Sequence, residues 1–334
     1  MFRFLAVLIV LVIVAGGAWF WEQENFTAPG PSDSYQVMMV MPGDHVGTIA
    51  QHLQNQGIVQ NATLFSLGLR IRGEQSALKA GEYGFPAQAS MEDVMDILVA
   101  GKSIEHKITA AEGLTSQMIY DIVKNDPILV GDAGPVPAEG TLLPETYLFT
   151  RGMTRAAMLH KMRDAQNKFL AEQWPVRAPG IPVTTREEAL TLASVVEKET
   201  GIAEERRHIA SVFENRLRQG VKLQSDPTII YGLTKGYPLG HGIRMSELNR
   251  VTPYNTYAVA GLTPTPICNP GKDAIAAVLN PGTTNDLYFV ASGTGGHVFS
   301  ATIADQNRAV AALRARERIE KMKPAMPEAT VPHL

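Results

Sequence analysis

Residues 184 to 232 constrain the fold most tightly, because they hold a helix that carries acidic residues into its own apolar face. Thr185 can serve as N-cap, and Glu188 three residues later completes a capping box. At about 100° per residue from Leu192, the side chains of Ala189, Ala193, Val195 and Val196 gather on one arc. Glu199 falls inside that arc, one turn beyond Val195 and Val196, and Glu197 falls on its edge near Leu190. Thr191, Ser194 and Lys198 point the other way, toward solvent. A carboxyl group on a buried face is costly unless it stays protonated or finds donors, so a raised pKa is expected. That is what a general acid needs near neutral pH. The competing reading is a helix end with two solvated glutamates.

The rest of the composition removes alternatives. A net charge of −3 over 334 residues, with no basic run, gives no hint of nucleic-acid binding. One cysteine, Cys268, rules out an internal disulfide framework and a thiolate metal cluster. No His/Asp/Glu cluster has metal-ligand spacing, and no Gly-rich loop with a following Lys suggests phosphate binding.

The N-terminus carries its own signal. After Arg3, residues 4 to 20 contain no charge, and Trp19, Phe20 and Trp21 close the run as an aromatic belt. Such a run spans roughly 26 Å as a helix, near the lower limit for a bilayer core. The expectation is a transmembrane anchor over 1–21, with Arg3 cytoplasmic and the remainder in the periplasm or otherwise outside the inner membrane. A cleaved signal peptide is the rival, but the run continues past Ala15-Gly16-Gly17-Ala18 into the aromatics. Residues 22–35 read as a linker, and 321–334, with three prolines, as a disordered tail.

Between these ends the pattern predicts an α+β chain: a region over 36–125 and a larger mixed α/β domain over 126–320. The first reads strand (Gln36 to Met41), helix (His45 to Gln54), helix (Ala62 to Ile71), strand (79 to 83). That order recurs weakly after Ile108; aligning Gly43 with Gly113 also aligns Ile49 with Ile119. The unit resembles the LysM module, a βααβ fold that binds N-acetylated glycans. A spacer with no glycan contact is the alternative.

In the larger domain a helix from Arg155 to Gln173 carries a Met158/Met162 core stripe, and another runs from Ala203 to Gln219. Asn215 flanks the buried stripe of the latter and can face a cleft; as an isolated residue it is more often a surface group. Gln224 and Asp226 precede a short helix begun by Pro227, a position suited to hydrogen-bonding a polar ligand. Residues 254 to 271 form a long irregular loop holding Tyr254, Asn255, Tyr257 and Asn269 between prolines. Rings and amides of this kind suit a sugar groove, or else a structured surface loop. A hairpin, 287–290 with 297–300, places His297 beside its turn.

Several of these motifs together resemble the YceG-like endolytic murein transglycosylases, known as MltG. They are Leu-Ala-Ser-Val-Val-Glu-Lys-Glu-Thr from Leu192, Ser-Val-Phe-Glu-Asn-Arg-Leu from Ser211, and Leu-Gln-Ser-Asp-Pro-Thr-Ile-Ile-Tyr-Gly from Leu223. Pro253 to Tyr257, Asn269-Pro270-Gly271 and Gly295 to Phe299 continue the match. Thr263 stands where proline is expected and Glu145 where aspartate is common, which leaves only loop detail in doubt. The resemblance implies a partly lysozyme-like helical core and cleavage of the β-1,4 bond between N-acetylmuramic acid and N-acetylglucosamine. The products are 1,6-anhydro ends, and no cofactor is needed. It implies Glu199 as the acid, with Glu197, Thr200, Asn215, Gln224, Asp226, Tyr231, Tyr254, Asn255, Tyr257 and Asn269 around the substrate. It also implies peptidoglycan glycan strands and peptidoglycan synthases (penicillin-binding proteins) as partners. The alternatives are a two-carboxylate murein hydrolase using Asp226 or Glu197, and a membrane-anchored glycan-binding scaffold without catalysis.

Overall fold

The computed structural model describes residues 23–322 and, before them, positions 9, 10, 13, 14, 16, 17 and 21. The chain is α+β and divides into two compact units. The first comprises residues up to Ile108 with Ile128–Val130 and Leu148–Met153; the second comprises Thr109–Pro127, Gly131–Tyr147 and the chain from Thr154.

The first unit has the order strand, helix, helix, strand, then a further helix. Strand β1 (Gln36–Val40) pairs antiparallel with β2 (Gly81–Phe85), Met38 opposite Tyr83. Met38, Val40, Tyr83 and Phe85 are buried at alternate positions, as the period of a half-buried strand requires. Helix α1 (Val46–Asn55) starts at His45, whose Nδ1 accepts from the Thr48 amide, and α2 (Ala62–Arg72) starts at Asn61. Ile49, Leu53, Phe65 and Leu69 from these helices fill the core. Helix α3 (Met91–Ala100), opened by a Ser90/Asp93 capping box, closes the core with Val94, Met95 and Leu98.

Strand β3 (Glu105–Thr109) pairs with β4 (Thr146–Thr150) in a second two-stranded sheet. Between them stands only one helix, α4 (Ser116–Asn125), so the second repeat lacks the helix–helix pair of the first. Residues 126–145 carry three glycines and four prolines, too closely spaced for a helix to form.

One expectation is corrected here. No helix among the described residues is long and apolar enough to cross a membrane, so the single-pass anchor, and the inner-membrane localisation that rested on it, are not supported. Most of the anchor assigned to 1–21 and the tail assigned to 321–334 lie outside the described residues.

The second unit is built on helices. Helix α5 (Arg155–Gln173) buries Met158, Met162 and Leu170; α6 (Arg186–Glu199), α7 (Ala203–Arg218) and α9 (Lys272–Leu279) form the centre of its core, with α8 (Asp226–Thr234) against α6. Strands β5 (Tyr288–Ala291) and β6 (His297–Ser300) make a hairpin closed by the Ser292 amide on the Gly296 carbonyl, followed by α10 (Ile303–Met322). The capping box of Thr185 and Glu188 is present on α6. The solvent face expected for Thr191 and Ser194 is not: Ser194 is fully buried and Thr191 nearly so. Ser194 Oγ donates to the Thr191 carbonyl and accepts from the Ile267 amide at 2.9 Å, so the segment 267–269 covers the side of α6 that the helical wheel leaves polar.

That segment leans on a tight approach at Gly140, where φ is +78° and an added Cβ would meet Pro266 Cγ at 2.5 Å. Gly140→Ala therefore combines backbone strain with a clash against a rigid ring. It is expected to cost about 2–3 kcal/mol in chemical denaturation.

Candidate active site

Helix α6 is buried on nearly all sides from Ala189 to Val196, and its last residue is Glu199. The carboxyl of Glu199 thus sits at a helix C-terminus, where the backbone dipole disfavours negative charge. Burial pushes its pKa up to about 7, and the carboxylate of Asp226 adds to the rise; a Ser225 hydrogen bond and the charges of His297 and Arg216 oppose it. Ser225 Oγ donates to Glu199 Oε1 at 2.5 Å. Ser225 is the N-cap of α8, yet its side chain makes no capping bond, because the hydroxyl is committed to Glu199 instead.

Ser225 and Asp226 reach this position through a strained link. Gln224 has φ +52°, in the left-handed region that a non-glycine residue seldom adopts. Its amide donates to the Thr256 carbonyl, and its Oε1 accepts from Arg216 Nη1 at 3.3 Å. Arg216, nearly buried, also donates to the carbonyls of Leu223 (2.7 Å) and Leu287 (2.5 Å), and lies 5.2 Å from the Tyr288 ring. Thr256 Oγ1 accepts from the Ser225 amide and pairs with Thr228 Oγ1 at 2.9 Å. Asp226 Oδ1 accepts from the Tyr257 hydroxyl at 2.7 Å, and burial with this bond raises the Tyr257 pKa.

The structure therefore gathers Glu199, Gln224, Asp226 and Tyr257 with Ser225 and Arg216. Tyr231 and Tyr254 stand nearby on α8 and the following loop, rings 5.1 Å apart; Tyr231 donates to Glu139 Oε2 at 3.1 Å and Tyr254 pairs with Thr265. Thr200 caps α6 and its hydroxyl accepts from the Ile202 amide. The remaining amides serve as brackets. Asn215 donates to the carbonyls of Thr284 and Asp286, and Asn255, almost wholly buried, to those of Leu248 and Arg250. Asn269, fully buried, accepts from the Leu142 amide and donates to the Leu114 carbonyl. Glu197 points elsewhere: Oε2 accepts from the Gly271 amide at 3.0 Å, and burial raises its pKa, with repulsion from Glu112 adding to that.

His297 lies on β6 with Nδ1 2.7 Å from Glu205 Oε2, while its amide donates to Glu205 Oε1. Burial raises the Glu205 carboxyl, but the two His297 bonds outweigh it and hold the group low. Ser225 is the site residue that sequence reasoning missed, since a serine before Asp-Pro reads as an ordinary N-cap. Among the described residues no group of three or more His, Cys, Asp or Glu side chains is placed to hold a metal ion.

The comparisons with known proteins bear on this geometry. A family model described as the YceG-like family matches residues 38–312. The chain belongs to the YceG-like family. Relatives from Streptococcus pneumoniae and Bacillus subtilis carry the name endolytic murein transglycosylase. The one from Streptococcus pneumoniae serotype 2 (strain D39) is 29% identical over 346 residues, covering 88% of this chain and 62% of its own length. The one from Bacillus subtilis (strain 168) is 28% identical over 334 residues, covering 89% and 90%. The chain thus spans about three-fifths of the pneumococcal relative. A crystal structure of a yceG-like protein from Listeria monocytogenes superposes with a TM-score of 0.50 at 26% identity, covering 83% of this chain and 99% of that one. Family membership and fold agree.

A second carboxyl behaves like Glu199 away from the site. Glu214 is fully buried, with Oε2 accepting from Arg218 at 2.8 Å and Oε1 without a partner; burial raises its pKa to about 7, against the pull of Arg218. The folded pKa exceeds the unfolded 4.5, so the folded state binds more protons between these values and stability falls as pH rises through that window. Glu214→Gln should remove on the order of 3 kcal/mol of this pH dependence. Thermal unfolding at pH 5 and pH 8 checks it: the variant gains on the wild type at pH 8 relative to pH 5.

Proposed function

We propose that the chain is an endolytic lytic transglycosylase acting on peptidoglycan, with Glu199 as its single acid and base. The observation that carries this reading is a carboxyl held protonated to about pH 7 at a helix end, with Ser225 fixing its orientation. The names carried by the pneumococcal and Bacillus relatives supply the substrate, the glycan strand of murein.

The chemistry requires little else. Glu199 donates its proton to the glycosidic oxygen between N-acetylmuramic acid and N-acetylglucosamine, and the C1–O bond breaks with positive charge developing at C1. The muramyl C6 hydroxyl then attacks C1, and the Glu199 carboxylate takes the hydroxyl proton. A 1,6-anhydro end results, no water is consumed, and the acid is restored. Ordinary glycosidases need a second carboxylate to activate water or to attack; here the substrate supplies its own nucleophile. In this reading Asp226, held by Tyr257, favours the positive charge at C1, and the half-buried ring of Tyr254, backed by the buried Tyr231, suits the face of a pyranose ring. Gln224 is held by Arg216 at the edge of the same group. In this reading Glu197, Asn215, Asn255 and Asn269 shape the walls through the bonds described above, and Thr200 sets the turn after the acid.

A second reading, a hydrolase with Asp226 as the other carboxylate, is favoured by its electrostatic coupling to Glu199. The strand–helix–helix–strand order of the first unit supports a LysM-like role in glycan binding, and peptidoglycan synthases are the partners the family resemblance suggests. Mass spectrometry of digested strands tests the main reading. Wild-type protein should leave anhydro ends, lighter by one water than hydrolytic ends, and Glu199→Gln should lose about 10²–10⁴-fold in rate. The rate should decline as pH rises through about 7, where the acid loses its proton. Reducing ends from the wild type would favour the hydrolase, and full activity in Glu199→Gln would remove Glu199 from the mechanism.

A further inference from the structure

A pocket is lined in part by the chain segments that hold Glu199 and Asp226. Its volume is about 320 Å³, and it is walled by Lys198 from α6 and by Pro227, Ile230 and Tyr231 from α8. Tyr237, Pro238 and Leu239 close it from one side, and Ile267 from another. Lys198 and Pro227 are the chain neighbours of Glu199 and Asp226, so whatever occupies the pocket lies beside the reacting centre.

Three features define its occupant. The lining is largely apolar, with proline, leucine and isoleucine; it contains no amide and no carboxylate side chain, and two of its three hydroxyls are engaged, Tyr231 with Glu139 and Thr115 with the Met118 amide. A sugar ring, whose hydroxyls need several fixed donors and acceptors, is poorly served there. The lining carries one charge, the exposed Lys198, whose Nζ donates to the Gly113 carbonyl at 3.4 Å, a long contact that leaves two ammonium protons for a ligand. The neighbouring acid does not cancel it by contact, because Glu197 Oε2 accepts from the Gly271 amide. A second ammonium, Lys235 Nζ, stands 5.3 Å from the Tyr231 ring and 5.1 Å from that of Tyr254. Finally, the wall is fixed: at Gly236 the backbone comes so close to Thr115 that an added Cβ would meet its methyl carbon at 2.5 Å.

We infer that this pocket is a subsite for a short peptide borne on the glycan, with small apolar side chains against the prolines and Ile230 and a free carboxylate on Lys198. The inference rests on the glycan-strand reading above and makes the substrate more specific: strands that still carry carboxylate-ended stem peptides are preferred over bare strands.

The test measures binding of fluorescently labelled strands to Glu199→Gln protein, so that cleavage does not intervene. Peptide-bearing strands should bind about tenfold tighter than strands stripped of peptide, as expected for one hydrogen bond to a charged group. Adding Lys198→Met, or amidating the peptide carboxylates, should bring that ratio close to one, and Tyr237→Ala should lower it in part. Equal affinity for the two strands, or a ratio unmoved by Lys198→Met, would overturn the subsite. Intact strands after incubation with the wild type, with the binding preference retained, would instead contradict the glycosidic reading and leave the subsite standing.

Discussion

Desolvation of one carboxyl group governs the arrangement of the second unit. Glu199 ends a helix whose preceding turns are buried, so its carboxyl meets protein where solvent would otherwise stabilise a charge. Keeping α6 buried takes α7 and α9 on one side and the 267–269 segment on the other, where Ser194 satisfies the Ile267 amide. The helix dipole and the Asp226 charge act in the same direction as burial. Ser225, His297 and Arg216 act against it, and their pull leaves the group near neutrality rather than far above it.

The supporting polar groups follow from that need. Ser225 must bring its hydroxyl to Glu199, which turns Gln224 into the left-handed region and leaves α8 without a side-chain cap. Arg216 and Thr256 hold that strained link from two sides. Buried amides then fix the loops that carry these groups: Asn255 ties the turn before Tyr257, and Asn269 ties the segment behind α6 to Leu114 and Leu142. Each is a buried polar side chain with its partners supplied, the condition under which such groups are tolerated.

Much of this was legible in the sequence where one local rule sufficed. The capping box of Thr185 and Glu188, the helix from Arg155 to Gln173 and the hairpin carrying His297 all follow from spacing along a single element. What depended on contacts between distant segments was not legible. A helical wheel leaves Ser194 facing solvent because it knows nothing of Ile267, seventy-three positions away. Ser225 looks like a cap because its partner lies on another helix. Asn215 and Asn269 look like ligand-binding amides until the carbonyls of Thr284 and Leu114 are seen beside them. The apolar run before residue 21 carried a strong composition signal, yet no described helix has the length and apolarity of a membrane span.

The account stands on the protonation of Glu199 in the resting protein, ahead of any substrate. Carbon-13 NMR of protein labelled at glutamate side-chain carboxyls, with Glu199→Gln used to assign the resonance, reads that directly. The account predicts a Glu199 midpoint near pH 7. A midpoint in the ordinary range near 4.5 would mean that the carboxyl is charged at neutral pH, and the single-acid mechanism would be contradicted.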